Sequence, residues 1–232
     1  NCLMTMAAPA ARLAFPRILR NWGLVYAGNF VGSVAVAVLM FAADQYRMAD
    51  AAAGLTALRI AEAKCALSFP VALARGVGCN VLVCLAVWLA WSCRTTGDRI
   101  VAIVPPIAAF VAVGFEHSVA NMYFIPLGML IAGGAPETFW NLAGAAPADF
   151  QHLTWAGFLF GNLLPVTIGN IVGGSLLVGA PYYLAYLRPA RRSEETRLAR
   201  GAALEEGRDG TPERTSPTVW SAVESARSSR LT

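Results

Sequence analysis

Charged residues are scarce in this chain: Asp, Glu, Lys and Arg together make up 14% of it, with a single lysine, Lys64. A soluble domain carries about a quarter. Apolar residues reach 56% and mean hydropathy is +0.53, so lipid rather than water is the expected solvent. The five cysteines (Cys2, Cys65, Cys79, Cys84, Cys93) are odd in number and form no CxxC pair. That argues against a disulfide framework or a zinc site and leaves small inert thiols. The arginines do not interleave with aromatics as they do in nucleic-acid binders, so the net charge of +4 reads as membrane orientation. Nothing in the first residues has the basic leader and apolar core of a signal peptide, nor an initiator methionine. The chain is expected to be N-terminally incomplete.

A helix must run for about 20 apolar residues to cross a hydrocarbon layer of roughly 30 Å. Four segments meet that length: 22–43, 66–92, 100–132 and 154–187. Lipid offers no partner to backbone N–H and C=O groups, so each span must be helical or shielded by protein. Arg12, Arg17 and Arg20 precede the first span, Arg94 and Arg99 separate the second from the third, and Arg188, Arg191 and Arg192 follow the fourth. Residues 132–153 hold no Lys or Arg, and the first alternate loop has only Arg47 and Arg59. The positive-inside rule then places the arginine-rich connections and the C-terminal tail in the cytoplasm. From residue 189 to 232 the composition turns to mixed charge with Gly, Ser, Thr and Pro, the signature of a disordered tail.

Weak internal symmetry is the next signal. Residues 21–33 align without gaps on residues 162–174, pairing Asn21 with Asn162, Gly28 with Gly169, Asn29 with Asn170 and Gly32 with Gly173. Each copy contains a GxxxG step, which lets two helix backbones approach closely. Small residues are common in membrane helices, but a matched Asn-x7-Asn around both steps points to duplicated halves. Equal positions in the two halves require an odd number of spans per half, hence halves of opposite membrane orientation.

The third segment is too long for one span and carries Glu116 and His117 near its centre. Unpaired ionisable groups cost about 2.5–3.5 kcal/mol or more each at midplane, so function is the default reading there. Gly114 is the expected helix break, with Glu116 in the first turn of the second half-helix as its carboxylate cap. His117 and Asn121, four residues apart, would share one face and offer an imidazole and an amide to a lumen. Backbone N–H groups at such a break suit an anion. The bland alternative, a buried histidine bonded only to a nearby carbonyl, is the weaker reading at membrane depth. Arg75, inside the second apolar segment, fits either an interfacial lead-in or an outer vestibule.

Taken together, the runs Gly114-Phe-Glu-His-Ser-Val-Ala-Asn-Met122, Ile125-Pro-Leu-Gly128, Asn80-Val-Leu-Val-Cys-Leu-Ala-Val-Trp88 and the two repeat copies resemble the formate/nitrite transporter family over residues 1–188. The resemblance implies an all-α integral membrane protein, an aquaporin-like inverted-repeat helical bundle with a broken central helix, about four of six spans being present here. It implies a homopentamer with one pore per subunit, moving formate or nitrite with or without proton coupling. By resemblance, His117 is the central pore histidine, Phe110 a constriction residue, Lys64 the vestibule lysine, Asn80 a pore-associated polar residue and Asn170 a polar residue near the histidine. Related anions (hydrosulfide, lactate) and a neutral-solute channel remain as alternatives. A membrane enzyme built on Glu116 and His117 is disfavoured, because adjacent helical residues point about 100° apart. No metal or cofactor is expected.

Overall fold

The computed structural model describes residues 15–187 and 196–197, all helix, turn or coil with no strand among them. The chain divides into a compact unit ending at Tyr183 and a second unit from Leu184 onward. Apart from 196–197, the expected tail at 189–232 lies outside the described residues.

Helix α1 (Phe15–Ala42) is followed by a tight turn in which Asp44, Ala49, Asp50 and Ala51 all take positive φ, with a 3-10 turn (Gln45–Arg47) between them. The turn is anchored by Tyr46, which is buried and stacks on Phe41 at 5.1 Å and edge-on to Phe139 at 5.3 Å. Then comes α2 (Ala52–Cys65), where the sequence reading placed a loop. Its alanines favour helix, but Arg59, Glu62 and Lys64 break any apolar run, and its 14 residues are too few to cross a bilayer.

Ser68 precedes α3 (Phe69–Ser92). Thr95 caps α4 (Thr96–Ala112), its hydroxyl accepting the Asp98 N–H at 3.1 Å, with Asp98 complementing the positive helix end. A non-helical stretch at 113–117 separates α4 from α5 (Ser118–Gly134), so the long third segment folds as two helices of 17 residues each. Helix α6 (Glu137–Ala143) turns away from α5 by 113°. Finally α7 (Gly157–Tyr186) alternates α-helical turns with wider π-helical ones.

Three helices are each long and apolar enough to cross a membrane (Pro16–Ala42, Phe69–Ser92 and Gly157–Tyr186), and α5 with α6 makes a fourth if the bent pair is taken as one. The surface agrees with that solvent: Leu24, Val31, Leu39, Val101, Val104, Phe160 and Leu176 are all more than half exposed. This is a multi-pass integral membrane protein.

The two GxxxG steps behave differently. On α7, a Cβ at Gly169 would overlap the Leu73 carbonyl oxygen and one at Gly173 the Val77 carbonyl oxygen, while Gly76 returns the contact with its own Cβ position 2.8 Å from Val166 O. Helices α3 and α7 therefore meet backbone to backbone. On α1, nothing lies within 4 Å of the Cβ positions of Gly28 or Gly32. The sequence assigns both pairs to helix packing; only the second pair packs against a helix among the described residues.

Candidate functional site

The site is assembled around the interruption at 113–117. At the end of α4 the chain turns through Gly114 at φ +69, with Val113, Gly114 and Phe115 donating back to Ala109, Val111 and Phe110 carbonyls. Left-handed backbone costs an L-residue roughly 1–2 kcal/mol, and open space surrounds the Gly114 Cβ position. Gly114→Ala is accordingly expected to cost about that much, through strain and not collision, visible as a modest fall in thermal stability with the fold retained.

Phe115 seats its ring over Gly78 of α3, where a Cβ would come within 2.5 Å of the ring. Glu116 N–H donates to Arg75 O of α3 at 3.3 Å. His117 then caps α5: its Nδ1 accepts the Ala120 N–H at 3.2 Å and its carbonyl takes the Asn121 N–H at 3.0 Å. On sequence that role falls to Glu116, and the structure moves it one residue along. The reason is that Glu116 is 3% exposed and its carboxylate is claimed from elsewhere.

Lys64 Nζ, at the end of α2, lies 3.0 Å from both Glu116 carboxylate oxygens. Asn121 Nδ2 donates to Glu116 Oε2 at 2.7 Å and also to Asn162 Oδ1 at 2.7 Å, and Asn162 Nδ2 reaches back to Lys64 O at 2.9 Å. One buried polar circuit thus ties α2, the interruption, α5 and α7 together. The Asn121 side chain is fully buried, with its amide nitrogen in this circuit and Oδ1 without a hydrogen-bond partner, and does not share a lumen strip with the imidazole as its i+4 spacing suggests. Lys64, by resemblance the vestibule lysine, has its charge met by Glu116 and keeps a side-chain exposure of 17%. It also lies 5.9 Å from the centre of the Phe124 ring.

Asn170 of α7 is the second clamp. Its Nδ2 donates to Gly76 O at 2.8 Å and Glu116 O at 3.0 Å, and its Oδ1 accepts the Ser118 N–H at 3.0 Å. Asn80 Nδ2 bonds the Asn170 carbonyl. Both asparagines therefore act on backbone. Asn170→Ala removes the partners of the Glu116 carbonyl and the Ser118 N–H, whereas the Gly76 carbonyl keeps its place in the α3 ladder, and at ~1–3 kcal/mol for a stranded buried group the change should lower stability by a few kcal/mol. Asn170→Asp keeps the Ser118 bond but loses the donors, so its loss should also be large. Thermal melts of both variants check this.

Phe110 and His117 face each other across the interruption, ring centres 6.3 Å apart and planes 36° apart. With Nδ1 accepting from backbone, the neutral imidazole carries its proton on Nε2 and presents an N–H donor. Asn162 is the site residue that sequence reasoning passed over. In the sequence it stands out only as the first asparagine of the second repeat copy, and its link to Lys64 depends on the fold. No group of three or more His, Cys, Asp or Glu able to hold a metal occurs among the described residues.

Residues 1–184 match the family model described as Formate/nitrite transporter. The chain belongs to the formate/nitrite transporter family. It is 44% identical over 186 residues to the formate channel FocA of Escherichia coli strain K12, covering 80% of this chain and 65% of that protein. Formate channel FocB of the same strain is 38% identical over 188 residues, covering 81% and 67%. Among solved structures, a pentameric formate channel with formate bound superposes with a TM-score of 0.71 at 43% identity, over 74% of this chain and 67% of the other. An FNT family ion channel superposes with a TM-score of 0.63 at 31% identity, over 78% and 65%. The chain spans about two thirds of the length of these relatives.

Proposed function

We propose that this protein passes small monovalent anions, formate and nitrite foremost, through a pore centred on His117, in a homopentamer with one pathway per subunit. The observation that carries the reading is the pairing of His117 with Phe110. A backbone-oriented imidazole offers an Nε2–H donor beside an aromatic ring at an interruption of the helix, within a family whose solved relative is a pentameric channel with formate bound.

The chemistry follows from the charge. A bare anion pays heavily to leave water, whereas the neutral acid pays far less. Phe110 forms the apolar constriction that excludes hydrated ions, and His117 donates a hydrogen bond to the anion or passes it a proton. Lys64 has three ammonium donors; Glu116 occupies one side of it and the remainder faces the approaching anion. Asn80, Asn121 and Asn170 hold the interruption in shape and belong to the pathway's frame. No catalytic step is involved. The arginine-rich connections support a cytoplasmic C-terminal tail.

The test is uptake of labelled formate into proteoliposomes holding the full-length protein, with nitrite, lactate, hydrosulfide and glycerol as competitors. Formate uptake inhibited by nitrite and untouched by glycerol supports the proposal. Glycerol permeation without formate uptake overturns it in favour of a neutral-solute channel, and competition by lactate or hydrosulfide alone moves the substrate to that anion.

A further inference from the structure

Past the first five residues of each span, one charged residue has no place in the circuit just described. Arg75 lies six residues past the start of α3, exposed, with no hydrogen bond or ion pair for its side chain among the described residues. Its carbonyl accepts the Glu116 N–H, so its backbone is level with the interruption. Val71, one turn earlier on the same face, is 41% exposed and Ala74 beside it is exposed too, while Ala72 and Cys79 on its other flank are fully buried, so Arg75 sits at the edge of an exposed apolar strip. A lone guanidinium on such a surface favours the company of an anion.

Three sources of that anion can be weighed. Within the chain, Glu116 is the acidic residue at this level, and Lys64 lies against both of its oxygens. A second copy in a symmetric membrane assembly presents its groups at the same depths as the first. The other described carboxylates, Asp44, Asp50, Glu62, Asp98, Glu137 and Asp149, lie in turns, at helix ends or in helices outside the spans, and Asp44 and Glu62 already pair with Arg47 and His152. Between an anion in the pathway and the lipid, the exposed apolar side chain of Val71 on the same face favours the lipid. Helical side chains lean toward the helix N-terminus, and six residues of helix rise about 9 Å. An arginine stem laid back along Val71 brings its head most of the way to the end of α3, where headgroups begin. Its planar fork of donors matches a phosphate in a bidentate manner.

We infer that Arg75 binds the phosphodiester of a membrane phospholipid, with an acyl chain lying along the apolar face of α3 beside Val71. The contact is independent of what the pore carries.

The experiment counts phospholipids held by the protein. Wild type, Arg75→Gln and Arg75→Lys are purified in mild detergent, supplied with dioleoyl phosphatidylcholine or with dioleoylglycerol, which lacks the phosphate, and weighed by native mass spectrometry. Wild type should retain one more phosphatidylcholine per chain than Arg75→Gln, with Arg75→Lys between them, and dioleoylglycerol should reduce wild type to the Arg75→Gln count. The wild-type comparison stands even if a variant fails to fold. Equal phosphatidylcholine retention in wild type and Arg75→Gln, or equal retention of the two lipids by wild type, overturns the inference. Equal retention with a changed oligomeric mass assigns Arg75 to a contact between copies, and equal retention with altered formate uptake assigns it to the vestibule.

Discussion

Replacing Lys64 with methionine is expected to destabilise the protein more than any other single side-chain change in the site. Glu116 is 3% exposed and its carboxylate is held by Lys64 at 3.0 Å to each oxygen, with Asn121 at 2.7 Å as its further close donor. Removing one partner of a buried ion pair typically costs ~3–5 kcal/mol, because the other charge is left without compensation in a poor solvent. Replacing both partners should cost much less. Lys64→Met with Glu116→Gln is therefore expected to recover most of the stability lost by Lys64→Met alone, in a double-variant cycle read by thermal unfolding in detergent. Losses that simply add would mean that the two groups do not interact. The pair's job in this reading is to pin the interruption to α2, so the double variant should fold well.

The second large effect separates two glycine pairs that look equivalent in the sequence. Gly173→Val should abolish recovery of folded protein, and Gly173→Ala should cost several kcal/mol. A Cβ there meets the backbone oxygen of Val77, and neither helix has a flexible side-chain end that can give way. Gly32→Ala meets nothing within 4 Å, and alanine is the better helix former by about 1 kcal/mol. It should be neutral or slightly stabilising. The comparison is made by yield and melting temperature of the three variants at positions 32 and 173. Damage at Gly32 as severe as that at Gly173 would mean that another surface covers α1 in the assembled protein.

How much of this was legible beforehand depends on the range of the interaction. The Gly114 interruption could be read because glycine is the residue that takes φ +69 without strain, and because two ionisable groups beside it made an uninterrupted lipid-facing helix costly. The matched asparagines and glycines at 21–33 and 162–174 could be read because duplication keeps spacing. What spacing cannot carry is the partner. Lys64 and Glu116 are 52 residues apart, and Asn162 and Lys64 are 98 apart, so nothing local tells that they meet. The same blindness explains the expectation of Glu116 as a cap: in isolation a carboxylate at a helix start favours the dipole, but a half-buried ammonium at 3.0 Å is the stronger attraction and leaves the cap to His117 Nδ1. Asn121 and His117 were expected on one strip because i and i+4 share a helical face. His117 instead precedes the helix with an extended backbone, φ −111 and ψ 116, which turns the ring away from that face. Helix α2 was missed because a short polar-flecked helix with no crossing to make lacks the long apolar run that marks a span.

The most direct measurement is the pH dependence of formate uptake in proteoliposomes, wild type beside His117→Asn, at equal protein and equal formate gradient. If His117 donates to or protonates the anion at the constriction, wild-type uptake changes with pH across the imidazole range and the asparagine variant, which keeps a polar donor but cannot titrate, gives a flat profile. The same pH profile in both proteins would contradict a histidine-centred pathway.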